Sequence, residues 1–335
     1  MQALVRLLSD AAGGLDVRVH RAPAVVSVAD NYDALGYPAG GAAREARWTR
    51  YVTADALLRT QTSAMVPPLL RAMRGEPPAD VALVCPGLVY RRDQIDRLHV
   101  GEPHQVDVWR VGTRAPADGS SLRDWVAGLV GAVLPGREWR LLEARHPYTR
   151  DGVQVEVRDG EAWVEVGEAG VAAPELLEAC AGAGVRGLAS GWGLDRLLML
   201  RKGLGDVRLL RSEDPRAQRQ LLDLAPWRPL SSLPLMRRDL SLAVEPEEAD
   251  VEVLGDRVRE VLGDRAAWVE AVEIVLTCPV GELSEVARGR LGARLGQVNV
   301  LLRLSVRAVD RSLTTAEVNA LRDDVYRALH AGDVA

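Results

Sequence analysis

The sequence predicts a mixed α/β (α+β) fold, an antiparallel sheet flanked by helices, followed by a smaller α+β sandwich. Two observations favour this fold class. Strand-like segments follow one another as hairpins without regular βαβ alternation, and a stretch rich in proline and serine, residues 224–234, separates the remainder of the chain. We expect two domains, residues 1–225 and 226–335, because 335 residues are enough for two hydrophobic cores.

Hairpins and helices define the first domain. VALVCPGLVY and HQVDVWRV are rich in β-branched residues and are typical of strands. Valines alternate around Asp159 and Gly160 in GVQVEVRDGEAWVEV, which predicts a β-hairpin and, with its neighbours, an antiparallel sheet. Apolar residues at helical spacing in residues 120–134 predict a helix packed on that sheet, and Pro174 opens another helix.

The second domain follows a different order of elements. We expect a strand, a helix, two strands and a helix: residues 239–244, 251–262, 269–276, 298–306 and a last helix from Thr314 or Thr315. Thr314 and Glu317 form a capping-box signature for that last helix. This order fits a ferredoxin-like sandwich.

Composition excludes several classes of protein. No apolar run approaches the roughly 20 residues that span a bilayer, and the N-terminus has no signal-peptide pattern. Cys85, Cys180 and Cys278 lie far apart without a CxxC pair, so we expect neither a zinc knuckle nor a disulfide framework, and a cytoplasmic location. A net charge of −5 argues against nucleic-acid binding by the whole surface but leaves room for a local basic patch.

Phenylalanine is absent from the chain. Residues with AT-rich codons are scarce throughout, since Lys202 is the only lysine, and a GC-rich genome explains much of this bias. The other explanation is that a chain without phenylalanine can still be made when charged phenylalanine tRNA is scarce. The sequence leaves both explanations open.

The most informative segment is VYRRDQIDRLHVGEPHQVD, residues 89–107. Its arginine pair, acids, histidines and glutamine predict a hairpin whose polar face binds a polyanion, because guanidinium groups are planar, charged and bidentate. A solvated charged hairpin is the alternative. Two further segments favour binding: the glycine-rich strand and helix GLASGWGLDRLLML, residues 187–200, and LLRTQTSAM, residues 57–65.

Together these three segments resemble the phenylalanyl-tRNA synthetase catalytic subunit, a class II synthetase. The resemblance identifies the hairpin as motif 2, the glycine strand and helix as motif 3, and the serine segment as part of the amino-acid site. It extends to VVSVADNYDAL, GLGDVRLLRSEDPR, SSLPLMRRDLSLAV and RAVDRSLTTAEVNAL. The last two resemble the ends of a ferredoxin-fold anticodon-binding domain, which is the layout of the single-chain, mitochondrial form.

The resemblance implies ATP and Mg²⁺ as cofactors and assigns the nucleotide site. Arg91 would hold the α-phosphate and the substrate carboxylate, and Asp93 would read the adenine amino group. His99 and Arg196 would hold the outer phosphates, and Glu165 is the candidate metal-facing carboxylate, with an exposed strand residue as its alternative. Arg91 and Arg196 are the expected catalytic residues, because adenylation needs charge stabilisation and alignment more than proton transfer.

The amino-acid site departs from the family pattern. Ser63, Gln105 and Asp107 match positions that hold the α-amino group, but the family has glutamate at the position of Asp107 and histidine at that of Gln61. The family has Phe-Pro-Phe where this chain has His146, Pro147 and Tyr148.

We expect Tyr148 to keep the aromatic packing, and His146 either to face water or to meet a polar group of the substrate. Ala189 matches the small residue at the pocket floor beside Gly191. Leu188, Ser190 and Trp192 stand where the family has two phenylalanines and a leucine nearby, which suggests an altered specificity.

Three hypotheses remain. The first is a ligase that charges tRNA with phenylalanine or a related aromatic amino acid, as a monomer or homodimer. The tRNA would lie on an arginine stripe made of Arg288, Arg290, Arg294, Arg303, Arg307 and Arg311, of which the last three are the candidate contacts. Only Asp310 opposes that stripe in the local sequence. The second is a paralogue that activates a non-standard or polar-substituted amino acid for a non-tRNA acceptor. The third, a non-catalytic protein, is disfavoured by the retained Arg91, Gln105 and Arg196.

Overall fold

The computed structural model describes residues 1–92, 94, 96–228, 234–309 and 311–333. They form two compact units, and we describe each by itself. The first comprises residues 1–91, 102–204 and 223–226, and the second residues 92–101, 205–222 and 227–335. Residues 229–233 of the expected linker, residues 224–234, lie outside the described part of the chain. The two-domain interpretation with a boundary at residue 225 stays a prediction.

A seven-stranded sheet forms the centre of the first unit. Its strands are β1 Asp16–Val19, β4 Val81–Leu88, β5 His104–Gly112, β6 Trp139–Glu143, β7 Thr149–Asp159, β8 Ala162–Ala172 and β9 Arg186–Gly193. Their order across the sheet is β1-β4-β5-β9-β8-β7-β6. A small separate ribbon pairs β2 Val25–Ser27 with β3 Ala56–Leu58. All neighbours in the large sheet are antiparallel, as expected, except β1 and β4, which are parallel.

Helices flank this sheet, and all of them except the first follow sequence predictions. They are α1 Gln2–Ala11, α2 Val66–Ala72, α3 Gly119–Val133, α4 Pro174–Ala181 and α5 Leu194–Lys202. The predicted helix at residues 120–134 and the helix opened by Pro174 are confirmed. The α2 and α4 helices pack against Leu83, Cys85 and Trp109, which share one buried cluster with Tyr148 and Ala189. The expected amino-acid site therefore lies on the face that these two helices help to cover.

The second unit is a three-stranded antiparallel sheet covered on one face by two helices. Its strands are β10 Met236–Val244, β11 Val269–Pro279 and β12 Val298–Val306, in the order β10-β12-β11. The α7 helix, Val251–Leu262, and the α9 helix, Thr315–Leu329, share one hydrophobic cluster with this sheet. Two shorter helices, α6 Pro215–Gln220 and α8 Glu285–Leu291, were not predicted.

The α9 helix begins as predicted from its first residues. The Thr314 hydroxyl accepts a hydrogen bond from the Glu317 amide, and the Glu317 carboxylate accepts one from the Thr314 amide at 2.8 Å. The strand and helix order of the second unit is that of the predicted ferredoxin-like arrangement. Among the described residues, no helix combines the length and the apolar character that crossing a membrane requires.

Candidate functional site

The two arginines expected to bind ATP leave the sheet at the same edge. Strands β4 and β9 both run antiparallel to β5, so they are parallel to each other and their carboxyl ends coincide. Gln105 of β5 is the register partner of both Gly87 and Gly193. Arg91 follows β4, and Arg196 lies in the first turn of α5, which follows β9 directly. The strands that carry them are two sheet spacings, about 10 Å, apart.

Arg59 fixes the end of β4 from which Arg91 emerges. Its Nε donates to the Leu88 carbonyl at 2.7 Å, and its Nη1 donates to the carbonyls of Ala22 and Pro23, each at 3.1 Å. Burial lowers the pKa of this guanidinium. A Cβ at Gly87 would lie 2.3 Å from Arg59 Nη2, so the glycine is required for this packing. Sequence reasoning did not single out Arg59.

A β-bulge brings two glutamates of β8 onto one face of the sheet. Gln154 pairs with Glu168, but two residues on, Glu156 pairs with Glu165 rather than with Val166. The extra residue reverses the alternation of side chains in β8, so Glu165 and Glu168 share the face of Gln154 and Glu156. Arg196 binds Glu165 there: its Nη1 lies 3.0 Å from the backbone oxygen and 3.4 Å from Oε1.

Three adjacent strands place two carboxylates in one row across the sheet. Asp107 of β5 is the partner of Gly191 in β9, and Gly191 is the partner of Glu168 in β8. A Cβ at Gly191 would meet nothing nearer than Asp107 Oδ1, at 3.6 Å. The row therefore leaves space over Gly191 between the two acidic side chains.

Asp107 is a buried carboxylate held by three donors. Thr62 Oγ1 donates to Oδ1 at 2.6 Å, and Ser63 Oγ and Trp109 Nε1 each donate to Oδ2 at 2.8 Å. Burial raises the pKa of Asp107 although these hydrogen bonds oppose the shift. The structure thus brings together Ser63 and Asp107, which the sequence predicts in one site, and adds Thr62 and Trp109.

Gln61, the other departure from the family pattern, is bound within the protein. Its Oε1 accepts a hydrogen bond from the Tyr37 hydroxyl at 2.9 Å, and its Nε2 donates to the Asn31 carbonyl at 3.1 Å. Asn31 also binds the amide and the hydroxyl of Thr60. The segment around Asn31 therefore positions the residues that precede Ser63.

Aromatic rings surround the expected side-chain pocket. Tyr148 stacks on Trp109 with ring centroids 5.9 Å apart, and Tyr37 lies 6.4 Å from Tyr148. Burial raises the pKa of Tyr37 to about 12, and the nearby Glu168 charge adds to the shift. Burial also raises the pKa of Tyr148 well above its usual range. Tyr148 therefore packs as an aromatic residue, as expected.

His146 contacts an acid of the protein rather than open water. Its Nε2 lies 2.8 Å from Glu168 Oε2, and its side chain is 11% exposed, so the alternative in which it faces water was wrong. A contact with a polar group of the substrate stays a prediction. The His146 ring lies 5.9 Å from that of Tyr148. Glu168 was missed in the sequence because simple alternation places it opposite Glu165, and the bulge is not visible in the letters.

Leu188, Ser190 and Trp192 do not line the site, which corrects the expectation. They alternate with Ala189 and Gly191 along β9, so their side chains lie on the other face of the sheet. The Ser190 hydroxyl donates to the Val108 carbonyl at 2.7 Å and accepts from Trp192 Nε1 at 3.0 Å. Only Ala189 and Gly191 of this group face the proposed pocket.

Asp93 and His99 are the other two residues that were expected to bind ATP. Asp93 lies outside the described residues. His99 belongs to the second unit, where its Nδ1 is 2.7 Å from Asp96 Oδ1. Burial raises the pKa of Asp96, but the hydrogen bond and charge of His99, together with backbone hydrogen bonds from Leu98 and His99, leave that pKa lowered.

The arginine stripe is less free than its local sequence indicates. Arg303 binds Asp239 at 2.8 Å, Arg311 binds Glu317 at 2.8 Å, and Arg307 binds Glu270. The expectation that only Asp310 opposes the stripe was wrong, because Asp239 and Glu270 come from other strands and Glu317 follows six residues after Arg311. Asp310 itself lies outside the described residues.

Comparison with known proteins adds independent evidence. The family model for the tRNA synthetases class II core domain (F) matches residues 4–221. The phenylalanine–tRNA ligase alpha subunit of Prochlorococcus marinus (strain MIT 9313) is 34% identical over 212 residues, 62% of this chain and 61% of the relative. The same subunit of Geobacillus kaustophilus (strain HTA426) is 33% identical over 226 residues, 62% of this chain and 64% of the relative.

These matches leave part of each protein uncovered. The chain spans about three fifths of the length of these curated relatives. Residues after 221 lie outside the family match. The matched region contains the seven-stranded sheet and every residue of the amino-acid site described above. The chain belongs to the class II tRNA synthetase core family.

Proposed function

We propose that the chain activates phenylalanine or a related aromatic amino acid with ATP and transfers it to tRNA. The observation that carries this proposal is the common sheet edge from which Arg91 and Arg196 emerge, next to the Asp107 row. The relatives' name, phenylalanine–tRNA ligase alpha subunit, supports the same activity.

The chemistry suits these side chains. In adenylation an amino-acid carboxylate oxygen attacks the α-phosphorus of ATP, and the bond to the pyrophosphate leaving group breaks. No proton needs to be moved, so alignment and charge stabilisation are what the protein must provide. Arg91 would hold the α-phosphate and the incoming carboxylate, and Arg196 the outer phosphates. The roles of Asp93 and His99 rest on the resemblance alone.

Glu165 fits an Mg²⁺ ion that is shared with ATP. Within the described residues no cluster of three or more His, Cys, Asp or Glu could hold a metal. Mg²⁺ is, however, commonly bound by one or two carboxylates together with substrate phosphates and water. The Glu165 side chain is 40% exposed and lies beside Arg196. A magnesium ion there would neutralise phosphate charge, and Glu165 would anchor it.

Gln105, Asp107 and Ser63 would hold the α-ammonium group. An ammonium ion that leaves water needs a fixed counter-charge, and Asp107 is the buried carboxylate nearest to the space over Gly191. Its three neutral donors keep it in place without cancelling its charge. Ala189 and Gly191 would form the floor of the pocket, with Tyr148 and His146 at its aromatic wall.

We also propose the single-chain layout, in which the second unit acts as an anticodon-binding domain and the protein works as a monomer or homodimer. The matched core ends at residue 221, and the second unit has its own core of a sheet and two helices. Since Arg303, Arg307 and Arg311 are ion-paired, Arg288 and Arg290 of the same stripe become the first candidates for RNA contacts.

The test uses the full chain, labelled pyrophosphate, ATP, single amino acids and total tRNA. Amino-acid-dependent incorporation of label into ATP would establish activation, and acid-precipitable amino acid on tRNA would establish transfer. Activation without transfer would favour the alternative of a non-tRNA acceptor, which the altered pocket around His146 supports. If no aromatic amino acid supports ATP–pyrophosphate exchange, the proposed activity is contradicted.

A further inference from the structure

The aromatic wall of the proposed pocket contains an imidazole–carboxylate pair. His146 Nε2 and Glu168 Oε2 are 2.8 Å apart, and the Glu168 side chain is 40% exposed. Within the described part of the chain, the structure gives Glu168 no partner other than His146. The second carboxylate oxygen, Oε1, is therefore available as a hydrogen-bond acceptor.

Glu168 stands opposite the group proposed to hold the α-ammonium. Asp107, Gly191 and Glu168 form one row on adjacent strands, and Gly191 provides no side chain between the two acids. Two strand spacings make this row about 10 Å wide. Tyr148 stacks on Trp109 beside Asp107 and lies 5.9 Å from His146. The rings thus lie along the path from Asp107 to Glu168. An aromatic amino acid bound along the row would also reach from one acid to the other.

A plain phenyl ring fits this row poorly. It would cover the Glu168 carboxylate without offering a hydrogen bond to Oε1, the oxygen that His146 does not hold, and a polar atom that loses water without gaining a partner is costly. A site built to hydrogen-bond a substrate group discriminates strongly against the analogue that lacks it. The pocket favours a ring that brings a donor to Glu168.

We propose that Glu168, held by His146, selects an aromatic amino acid whose ring carries a hydrogen-bond donor, a hydroxyl or an amino group. The inference rests on the proposed function, since it concerns the same activation site. Glu168 acts as a specificity determinant that touches the substrate ring, and His146 acts as a positioning residue that fixes the carboxylate.

The experiment measures kcat/KM for ATP–pyrophosphate exchange with phenylalanine, tyrosine, O-methyltyrosine and 4-aminophenylalanine. The wild-type chain should prefer the two donor-bearing rings over phenylalanine and O-methyltyrosine by at least about tenfold. Glu168→Ala should remove that preference, and Glu168→Gln, which keeps an acceptor oxygen, should restore part of it. Glu161→Gln, at the exposed turn of the same hairpin, is the matched control and should leave the ratios unchanged.

Other outcomes overturn the inference in distinguishable ways. A wild-type preference for phenylalanine would refute it and leave the proposed activity intact. An equal loss for all four amino acids in Glu168→Ala, with unchanged thermal stability, would refute it by assigning Glu168 to the α-ammonium group. No exchange with any amino acid would reject the proposed function and the inference together.

Discussion

Two glutamates of β8 show which single residues could be predicted from the sequence and which could not. Glu165 was recognised from the resemblance, whereas Glu168, three positions on, was missed because a regular strand would turn the two side chains to opposite faces. The bulge at Val166 brings them to one face. A bulge is set by the fit of neighbouring strands, so no local pattern in VEVGEAG predicts it. Residues carried by motifs were predictable, but their partners were not.

Asp107 illustrates the same limit. The sequence suggested a carboxylate for an ammonium group, and Asp107 contacts the expected neighbour Ser63 as well as Thr62, which was not singled out. Its contact with Trp109 follows from two side chains on one face of β5, which alternation could have indicated. The pairing of Tyr37 with Gln61 joins segments that are distant in sequence and depends on the fold.

Tyr37 gives a prediction for alkaline pH. Burial raises its pKa to about 12 from an ordinary value near 10.0. A phenol whose pKa is raised by folding stabilises the fold below its unfolded pKa, and this stabilisation is lost as the pH rises through the folded value. We expect the free energy of unfolding of Tyr37→Phe to fall less steeply than that of the wild type between about pH 10 and about pH 12.

Urea denaturation across that range measures the difference. Loss of the hydrogen bond to Gln61 should lower the stability of the variant at neutral pH by about 0.5–1.5 kcal/mol. Parallel curves for variant and wild type above about pH 10 would show that Tyr37 ionises freely in the folded protein.

Among the elements, those with strong local patterns were predicted well. The α3 helix, the β7–β8 hairpin, the α7 helix and the capped start of α9 follow from periodicity and end signals. The parallel pairing of β1 with β4 and the short α8 helix did not follow. Parallel pairing depends on non-local contacts, and a helix of two turns has too few residues to show a period.

The end of β4 gives a prediction at the scale of the element. In Gly87→Ala the new methyl group would meet Arg59, which is 4% exposed and cannot move without losing its contacts to three carbonyls. We expect a loss of about 1–3 kcal/mol in the free energy of unfolding. ATP–pyrophosphate exchange should also fall, because Arg91 emerges from this strand end.

Gly128→Ala is the matched control. Gly128 lies within α3, and a Cβ there would meet nothing within 4 Å. Alanine should therefore stabilise the helix by about 0.5–1 kcal/mol. Chemical denaturation of both variants decides the matter: a Gly87→Ala protein as stable as Gly128→Ala would show that Arg59 does not occupy the space over Gly87.

At the scale of the whole molecule, the two units would divide the work between activation and tRNA recognition. Neither Arg288 nor Arg290 forms an ion pair within the part of the chain that the structure describes, whereas Arg303 binds Asp239 through two hydrogen bonds. Free arginines are better placed to neutralise phosphates.

The double variant Arg288→Ala with Arg290→Ala should therefore raise the KM for tRNA. For this variant, the logarithm of the tRNA affinity should depend less steeply on the logarithm of the salt concentration, by about one unit of slope per lost phosphate contact. Amino-acid activation without tRNA should not change. Steady-state aminoacylation at several salt concentrations provides the measurement, with Arg303→Ala as the comparison and a smaller effect expected there. A larger effect of Arg303→Ala would indicate that the ion-paired arginines, rather than Arg288 and Arg290, contact the RNA.

The central claim is that Arg91 and Arg196 act on one nucleotide at the common edge of β4 and β9. Amino-acid-dependent ATP–pyrophosphate exchange tests it most directly, in the wild type, Arg196→Ala and Arg186→Ala, since Arg186 is exposed at the other end of β9. We predict exchange in the wild type and in Arg186→Ala, and a loss of at least about 100-fold in Arg196→Ala, as for removal of one transition-state donor. Undiminished exchange in Arg196→Ala would contradict the account.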